Sequence, residues 1–303
     1  MSQRWEKIET VTRMQAYIRA HAADETVCMD GLYGAAGYSK RHADRIFKEL
    51  TGRTPQEYIR AVRLSASAET LLDPERSVLD TALASEYQTH EGFTRAFKSA
   101  FGVAPSRYQR EHTPIPLFVQ YPVDAYYAHL HQKEEPVMKK ETFLCMVTPV
   151  QRPKRKLLLL RSRRATGYWD YCEEVGCDWE GLFNSIPEKF DTAAILTLPA
   201  FLQKEGYSAV ASGVELPLGY GGGVPDGCEI AELDACEMLY FQSAPFEDES
   251  AYGEAIGGVF EALERYEPEQ FGYAFAYDAA PAFNFGACAE KGAKLAVPVR
   301  RLR

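Results

Sequence analysis

Over the first 112 residues, apolar positions recur at helical spacing and are punctuated by turn-forming residues. The pattern predicts seven helices, over about 5–21, 29–36, 39–50, 55–72, 78–84, 89–100 and 105–111. Their ends have chemical reasons. Gly52 and Gly102 stand where a helix needs a left-handed residue to finish, and Asp73-Pro74 stops the helix before it. Thr54-Pro55-Gln56-Glu57 and Ser77-Val78-Leu79-Asp80 read as capped helix starts, and Ser39 and Thr89 suit N-caps because a side-chain oxygen satisfies the first free N–H groups. Ile59, Val62 and Ala66 give the fourth helix a modest apolar stripe.

Thr113-Pro114-Ile115-Pro116 breaks this period. Residues 113–141 have no clear period and read as a linker. Beyond them the pattern turns to alternation, with strands expected at 142–150, 155–161, 191–197, 208–215, 236–243, 271–277, 282–288 and 293–300. Two helices interrupt them. One, near 250–265, carries Tyr252, Ile256, Val259, Phe260 and Leu263 on a stripe. The other, near 167–187, turns Tyr168, Tyr171, Cys172, Val175 and Trp179 inward and breaks at Gly176 or Gly181. The expected fold is therefore multidomain. An all-α region over 1–112 precedes an α+β domain over 142–303, which reads as two β-α-β-β units with an antiparallel sheet.

Within the helical region the chain repeats itself. Residues 45–58, RIFKELTGRTPQEY, and 95–108, RAFKSAFGVAPSRY, match at six of fourteen positions: Arg45/Arg95, Phe47/Phe97, Lys48/Lys98, Gly52/Gly102, Pro55/Pro105 and Tyr58/Tyr108. Each copy is a short helix, a tight turn and a longer helix, so residues 29–50 and 78–100 read as two helix-turn-helix units.

Charge sharpens the division. Residues 1–112 hold 16 Lys and Arg against 15 Asp and Glu, a net +1, so the remainder carries −10 and accounts for the net charge of −9. The acidic overall balance thus does not argue against nucleic acid as a partner of the first region. Apolar runs such as Leu157–Leu160 are far too short for a membrane helix, and the N-terminus lacks the apolar core of an export signal. A cytoplasmic protein with no membrane partner is expected. The seven cysteines form no C-x-x-C pair, so reduced thiols are the default, and Cys172 and Cys177 read as small half-buried residues rather than a redox or metal pair.

The second helix of each unit offers basic and polar groups. Arginine can make a bidentate contact with guanine in the major groove, whereas lysine and capping groups suit phosphates. The helix between the units spans roughly 27 Å at a rise of about 1.5 Å per residue. With its turns it could set two recognition helices about one DNA turn, near 34 Å, apart. One chain could then read two successive major-groove segments of double-stranded DNA.

These residues resemble the DNA-binding domain of the AraC/XylS transcriptional regulators over about residues 8–112, most specifically in THEGFTRAFKSAFGVAPSRY. The resemblance implies Arg41, Asp44 and Arg45 of the first unit, and His90, Glu91 and Arg95 of the second, as base-reading residues. It implies Ser39, Lys40, Lys48, Thr89 and Lys98 as phosphate contacts. Three departures stand out: Glu86 where the turn usually has Gly, Tyr33 for a small residue, and Ala43 for Leu.

Aromatic side chains interleaved with carboxylates in the acidic region suit a lipophilic small molecule, cations included. Residues from about 142 to 301 resemble a GyrI-like (SHS2-type) effector-binding domain through YWDYCEEVGCDW at 168–179, MLYFQ at 238–242 and AVPV at 296–299. That resemblance implies a small-molecule groove between two β-α-β-β units. The ligand-contact residues expected from this region are Tyr168, Trp169, Trp179, Glu237, Tyr240, Tyr273 and Phe275. Drug-binding members carry a pocket Glu in the last strand, a few residues before a Pro; the run Ala293–Pro298 has no acid there.

Other signals are weak. Gly219-Tyr220-Gly221-Gly222-Gly223 lacks the Lys-Ser/Thr of a phosphate loop and reads as a flexible connection between the two halves. His129-x-His131 lacks further metal ligands. The basic cluster Arg152–Arg164 reads as a guarded, solvated strand edge, with DNA contact as the alternative. The expected function is a sequence-specific transcription regulator sensing a small molecule, with no cofactor or metal and with RNA polymerase as a further partner. The alternative is a GyrI-like hydrolase acting on a reactive small molecule.

Overall fold

A computed structural model describes residues 3–22, 27–85, 87, 89–124, 126–127, 144–246 and 251–302. The chain divides into two compact units: Met1–His112 with Leu117–Met138, and Thr113–Pro116 with Lys139–Arg303. The expectations at Glu86 and at the His129/His131 pair lie outside the described residues.

Up to His112 the described residues of the first unit form seven helices: α1 (Gln3–Ala20), α2 (Met29–Ala36), α3 (Lys40–Thr51), α4 (Pro55–Thr70), α5 (Val78–Ala84), α6 (His90–Phe101) and α7 (Pro105–Glu111). Each lies within two residues of its expected span. The turns behave as the composition dictates. Gly52 and Gly102 adopt φ of 75° and 74°, and each donates its N–H to the carbonyl four residues back, on Lys48 and Lys98. A side chain there would clash with the following carbonyl. Thr54 and Glu57 form a reciprocal capping box, and Thr89 accepts from the Gly92 N–H at 3.0 Å. Ser39 occupies an N-cap with extended backbone, but its side chain makes no capping bond.

The repeat is visible in the packing. Phe47 meets Tyr58 edge to face at 5.3 Å, and Phe97 meets Tyr108 at 5.8 Å. Leu32, Ala43, Ile46 and Phe47 join Ile8, Val11, Met14 and Ile18 of α1 in the first half's core. α4 runs between the halves and buries Tyr58, Ile59, Leu64, Ser65, Ser67 and Ala68, whereas Ala66 of the expected stripe is exposed. A helix with neighbours on two sides buries more than one stripe.

The two matched tyrosines differ in one respect. The Tyr58 hydroxyl accepts a bond from Gln15 Nε2 at 3.0 Å. The buried Tyr108 hydroxyl has no partner among the described residues, and burial pushes its pKa up to about 12. A buried hydroxyl without a partner is destabilising. Tyr58→Phe is therefore expected to lower stability by about 1 kcal/mol, and Tyr108→Phe to leave it equal or higher. Urea unfolding of both variants checks this, and equal losses would contradict it.

The second unit is one antiparallel sheet with helices. Its elements are β1 (Cys145–Arg152), β2 (Arg155–Arg161), α8 (Tyr168–Val175), α9 (Asp178–Asn184), β3 (Ala194–Thr197), β4 (Val210–Pro217), β5 (Cys228–Leu233), β6 (Cys236–Ser243), α10 (Tyr252–Arg265), β7 (Tyr273–Phe275), β8 (Ala282–Cys288) and β9 (Gly292–Arg301). The strands run in the order β1-β6-β9-β8-β3-β4-β2-β5, with β7 added to β9. The expected long helix breaks at Gly176, which has φ 93°. Sequence reading missed β5, which pairs with β2. The Gly-rich run connects β4 to β5. Phe260, expected on the buried stripe of α10, is 41% exposed.

Alternation along the strands makes two faces. On one, α8 and α9 cover Leu158, Ile195, Val214 and Leu216, and α10 covers Leu239, Phe241, Leu295 and Val297. The other face buries Leu157, Leu159, Leu196, Met238, Phe283 and Ala296 beneath Leu198, Leu202 and Ala280. No residue of α8, α9 or α10 belongs to that second cluster among the described residues.

Candidate functional site

α3 and α6 each turn an aromatic residue inward and a charged face outward. Phe47, Phe93 and Phe97 are fully buried. Lys40, Arg41, Arg45 and Lys48 on α3, and His90, Glu91, Arg95 and Lys98 on α6, are exposed, as are Ser39 and Thr89 at the helix starts. The two faces differ in detail. On α3, the Arg45 guanidinium lies 3.0 Å from His42 Nδ1. Lys40 Nζ sits 5.5 Å above the Tyr33 ring. Tyr33 donates to Asp44 Oδ1 at 2.8 Å, and burial, aided by that carboxylate, pushes its pKa up to about 12. Asp44 is half-buried in this contact. Tyr33, which departs from the small residue of the resembled family, thus anchors Asp44 and steadies Lys40. These partners were not legible from spacing, because Tyr33 and Asp44 lie on different helices.

The seven aromatic and acidic candidates of the second unit fall in three places. Tyr168, Trp169 and Trp179 gather at α8 and α9, where Tyr168 meets Trp169 at 5.0 Å and Trp179 at 6.5 Å. Trp179 is 4% exposed, within the core under those helices. Glu237 and Tyr273 meet at 3.1 Å, and Arg301 donates to both oxygens of Glu237. The arginine holds the Glu237 carboxyl below its ordinary pKa. Phe275 packs beside Tyr273 on the α10 face. Tyr240 stands apart from these, on the opposite face.

Around Tyr240, sequence reading missed a polar cluster. Tyr240 and Phe285 stack at 5.9 Å. Arg152 donates to the Tyr240 hydroxyl, approaches Glu215 at 3.2 Å and lies 3.7 Å from Asp191. Lys294 pairs with Asp191 at 2.5 Å. Arg155, with no exposed surface, donates to Glu215, to the Asp234 carbonyl at 2.9 Å and to Cys236 Sγ at 3.4 Å. The basic stretch is therefore not a solvated edge throughout. β2 is an interior strand, and Arg155 is buried. Lys154, Arg163 and Arg164 are exposed.

Cys172 and Cys177 are both half-buried and unbridged, and their mutual contact lowers the pKa of Cys172 and raises that of Cys177. No group of metal-binding side chains occurs among the described residues, and no helix among them is long and apolar enough to cross a membrane.

A helix-turn-helix domain family matches residues 32–111. The right origin-binding protein of Escherichia coli K12 is 44% identical over 87 residues, 29% of this chain and 30% of that protein. The chain thus spans under a third of that relative's length. The probable transcription factor PqrA of Proteus vulgaris is 37% identical over 90 residues, covering 30% of this chain and 74% of that protein. Among solved structures, the C-terminal domain of AraT, a response regulator from Geobacillus stearothermophilus, is 28% identical with a TM-score of 0.31, over 33% of this chain and 84% of that one.

Proposed function

The chain belongs to the AraC family of helix-turn-helix transcription regulators, and we propose that it reads two successive major-groove segments of double-stranded DNA with α3 and α6. The observation that carries this reading is the matched pair of charged faces. Arg45 and Lys48 sit on α3 as Arg95 and Lys98 sit on α6, all exposed, each above a buried phenylalanine. The 16 residues of α4 span about 24 Å at a rise of about 1.5 Å per residue. With the flanking turns, that suits heads set about 34 Å, one DNA turn, apart.

Arg41, Asp44, Arg45, His90, Glu91 and Arg95 are the base-reading residues in this proposal. Ser39, Lys40, Lys48, Thr89 and Lys98 hold phosphates. Thr89 spends a lone pair on the Gly92 N–H and keeps its O–H for a phosphate oxygen.

Fluorescence anisotropy on DNA selected from a random pool tests the reading. Arg45→Ala and Arg95→Ala are each expected to weaken specific binding by about 1–3 kcal/mol. Lys48→Ala is expected to weaken all sequences alike and to lower the salt slope by about 1. Absence of any enriched sequence, or unchanged affinity in both arginine variants, would refute it.

The second unit is the sensor in this reading, a GyrI-like domain of two β-α-β-β units. β2, α8 with α9, β3 and β4 make one, and β6, α10, β8 and β9 the other. The sheet order supports this, because each set runs β3-β4-β2 or β8-β9-β6 and the two meet at the β3–β8 pairing. The face opposite α8, α9 and α10, where Tyr240 lies, is the effector groove. Effector and DNA then alter each other's affinity by the same factor, and RNA polymerase is the partner through which the bound chain acts.

A further inference from the structure

We propose that the effector is an aromatic organic anion, held on the sheet face opposite α8, α9 and α10 by Lys294 and Arg152. This inference rests on the effector-sensing reading above and adds the ligand's charge to it.

The charge balance is the first support. Three cations, Arg152, Arg155 and Lys294, share two carboxylates, Asp191 and Glu215. The cluster therefore carries a net positive charge. Arg155 is fully buried and saturated by Glu215, the Asp234 carbonyl and Cys236. The uncompensated charge falls on the accessible pair, whose side chains are 23% exposed for Lys294 and 12% for Arg152. Arg152 Nε is buried and, despite its 3.2 Å approach to Glu215, has no aligned hydrogen-bond acceptor among the described residues.

The aromatic surroundings are the second support. Lys294 Nζ lies 4.4 Å from the Phe285 ring centre and 5.9 Å from that of Tyr240. Arg152 lies 5.4 Å from Tyr240 and 5.6 Å from Phe190, which is 37% exposed. The ring faces that would attract a cationic ligand already have cations over them. An incoming cation would meet like charge at both ends of the platform. An anion instead pairs with Lys294 and Arg152 in a partly desolvated setting, where such pairs are strong, while its rings contact Phe285 and Phe190. Of the aromatic residues expected to contact a ligand, Tyr240 thus belongs to a site of the opposite sign to one that takes cationic drugs.

Tetraphenylborate and tetraphenylphosphonium have nearly the same shape and opposite charge. Isothermal titration of the full chain with each, in sodium buffer, reads the preference directly. The borate is expected to bind at least about tenfold tighter, and Lys294→Gln to shrink that ratio by about tenfold. Circular dichroism of the variant establishes that it is folded, and Lys294→Met supplies a second variant if the first is not. Equal or tighter binding of the phosphonium overturns the charge assignment and leaves the effector site standing. A ratio unchanged in the lysine variants overturns the placement on this face. Binding of neither ion overturns this inference and leaves the effector-sensing reading standing.

Discussion

Glu215→Leu is expected to destabilise the second unit by about 3–5 kcal/mol, because it strands a buried guanidinium. Arg155 has no exposed surface and Glu215 only 4%. The guanidinium keeps its bonds to the Asp234 carbonyl and Cys236, but its charge then has no partner and its Nε–H no acceptor. Water cannot replace the carboxylate at a site buried on both sides. The loss is specific to breaking the pair. Replacing both groups, as Arg155→Met with Glu215→Leu, removes the buried charge together with its partner and is expected to recover most of the loss. Arg152 then relies on Asp191 and its own partial exposure. Urea unfolding followed by tryptophan fluorescence suits this comparison, since Trp169 and Trp179 both lie in this unit. A double variant no more stable than Glu215→Leu alone would show that Arg155 is not what makes the single change costly.

The second large effect belongs to the helical unit. Phe97 is fully buried and touches Phe93, Phe101 and Tyr108 at centroid distances of 5.6, 4.7 and 5.8 Å. Phe97→Ala removes the ring that joins α6 to α7 and is expected to cost about 3–5 kcal/mol. The first half has its own core, built from α1 to α4 around Ile46, Phe47 and Tyr58. Amide exchange is therefore expected to accelerate across α5, α6 and α7 while α1 and α3 retain their protection. Equal acceleration in α3 would mean that the halves unfold as one.

The helical unit was legible because its signals are local. Thr54, Ser77 and the αL glycines mark helix ends through atoms within four residues, and the register of Phe47 and Phe97 follows from helical spacing. Ser39 shows the limit: its position was right, but its hydroxyl makes no cap. The sheet was legible in its strands and much less in its contacts. β5 is short and half-exposed, and it is a strand because β2 pairs with it. Phe260 falls on the expected stripe, yet it is exposed on α10. The cluster on the face opposite α8, α9 and α10 lay beyond reach, since Asp191 and Lys294 are 103 residues apart in the chain and isolated charged residues read as surface. The sequence candidates were chosen by residue type, and only Tyr240 lies in that cluster.

α4 acts as a ruler. It is the one continuous helix between the two halves, so its residue count fixes both the separation and the relative phase of α3 and α6. Adding a single residue would lengthen it by only about 1.5 Å but would swing one half by about 100° around the axis. Side chains could still pack, and each half would keep its own core, but the two charged faces would be turned about 100° relative to each other. The connection after α4, from Leu71 to Ser77, is under no such constraint on phase along its own length. Substitutions in this unit are therefore constrained by chemistry, whereas insertions in α4 are constrained by angle.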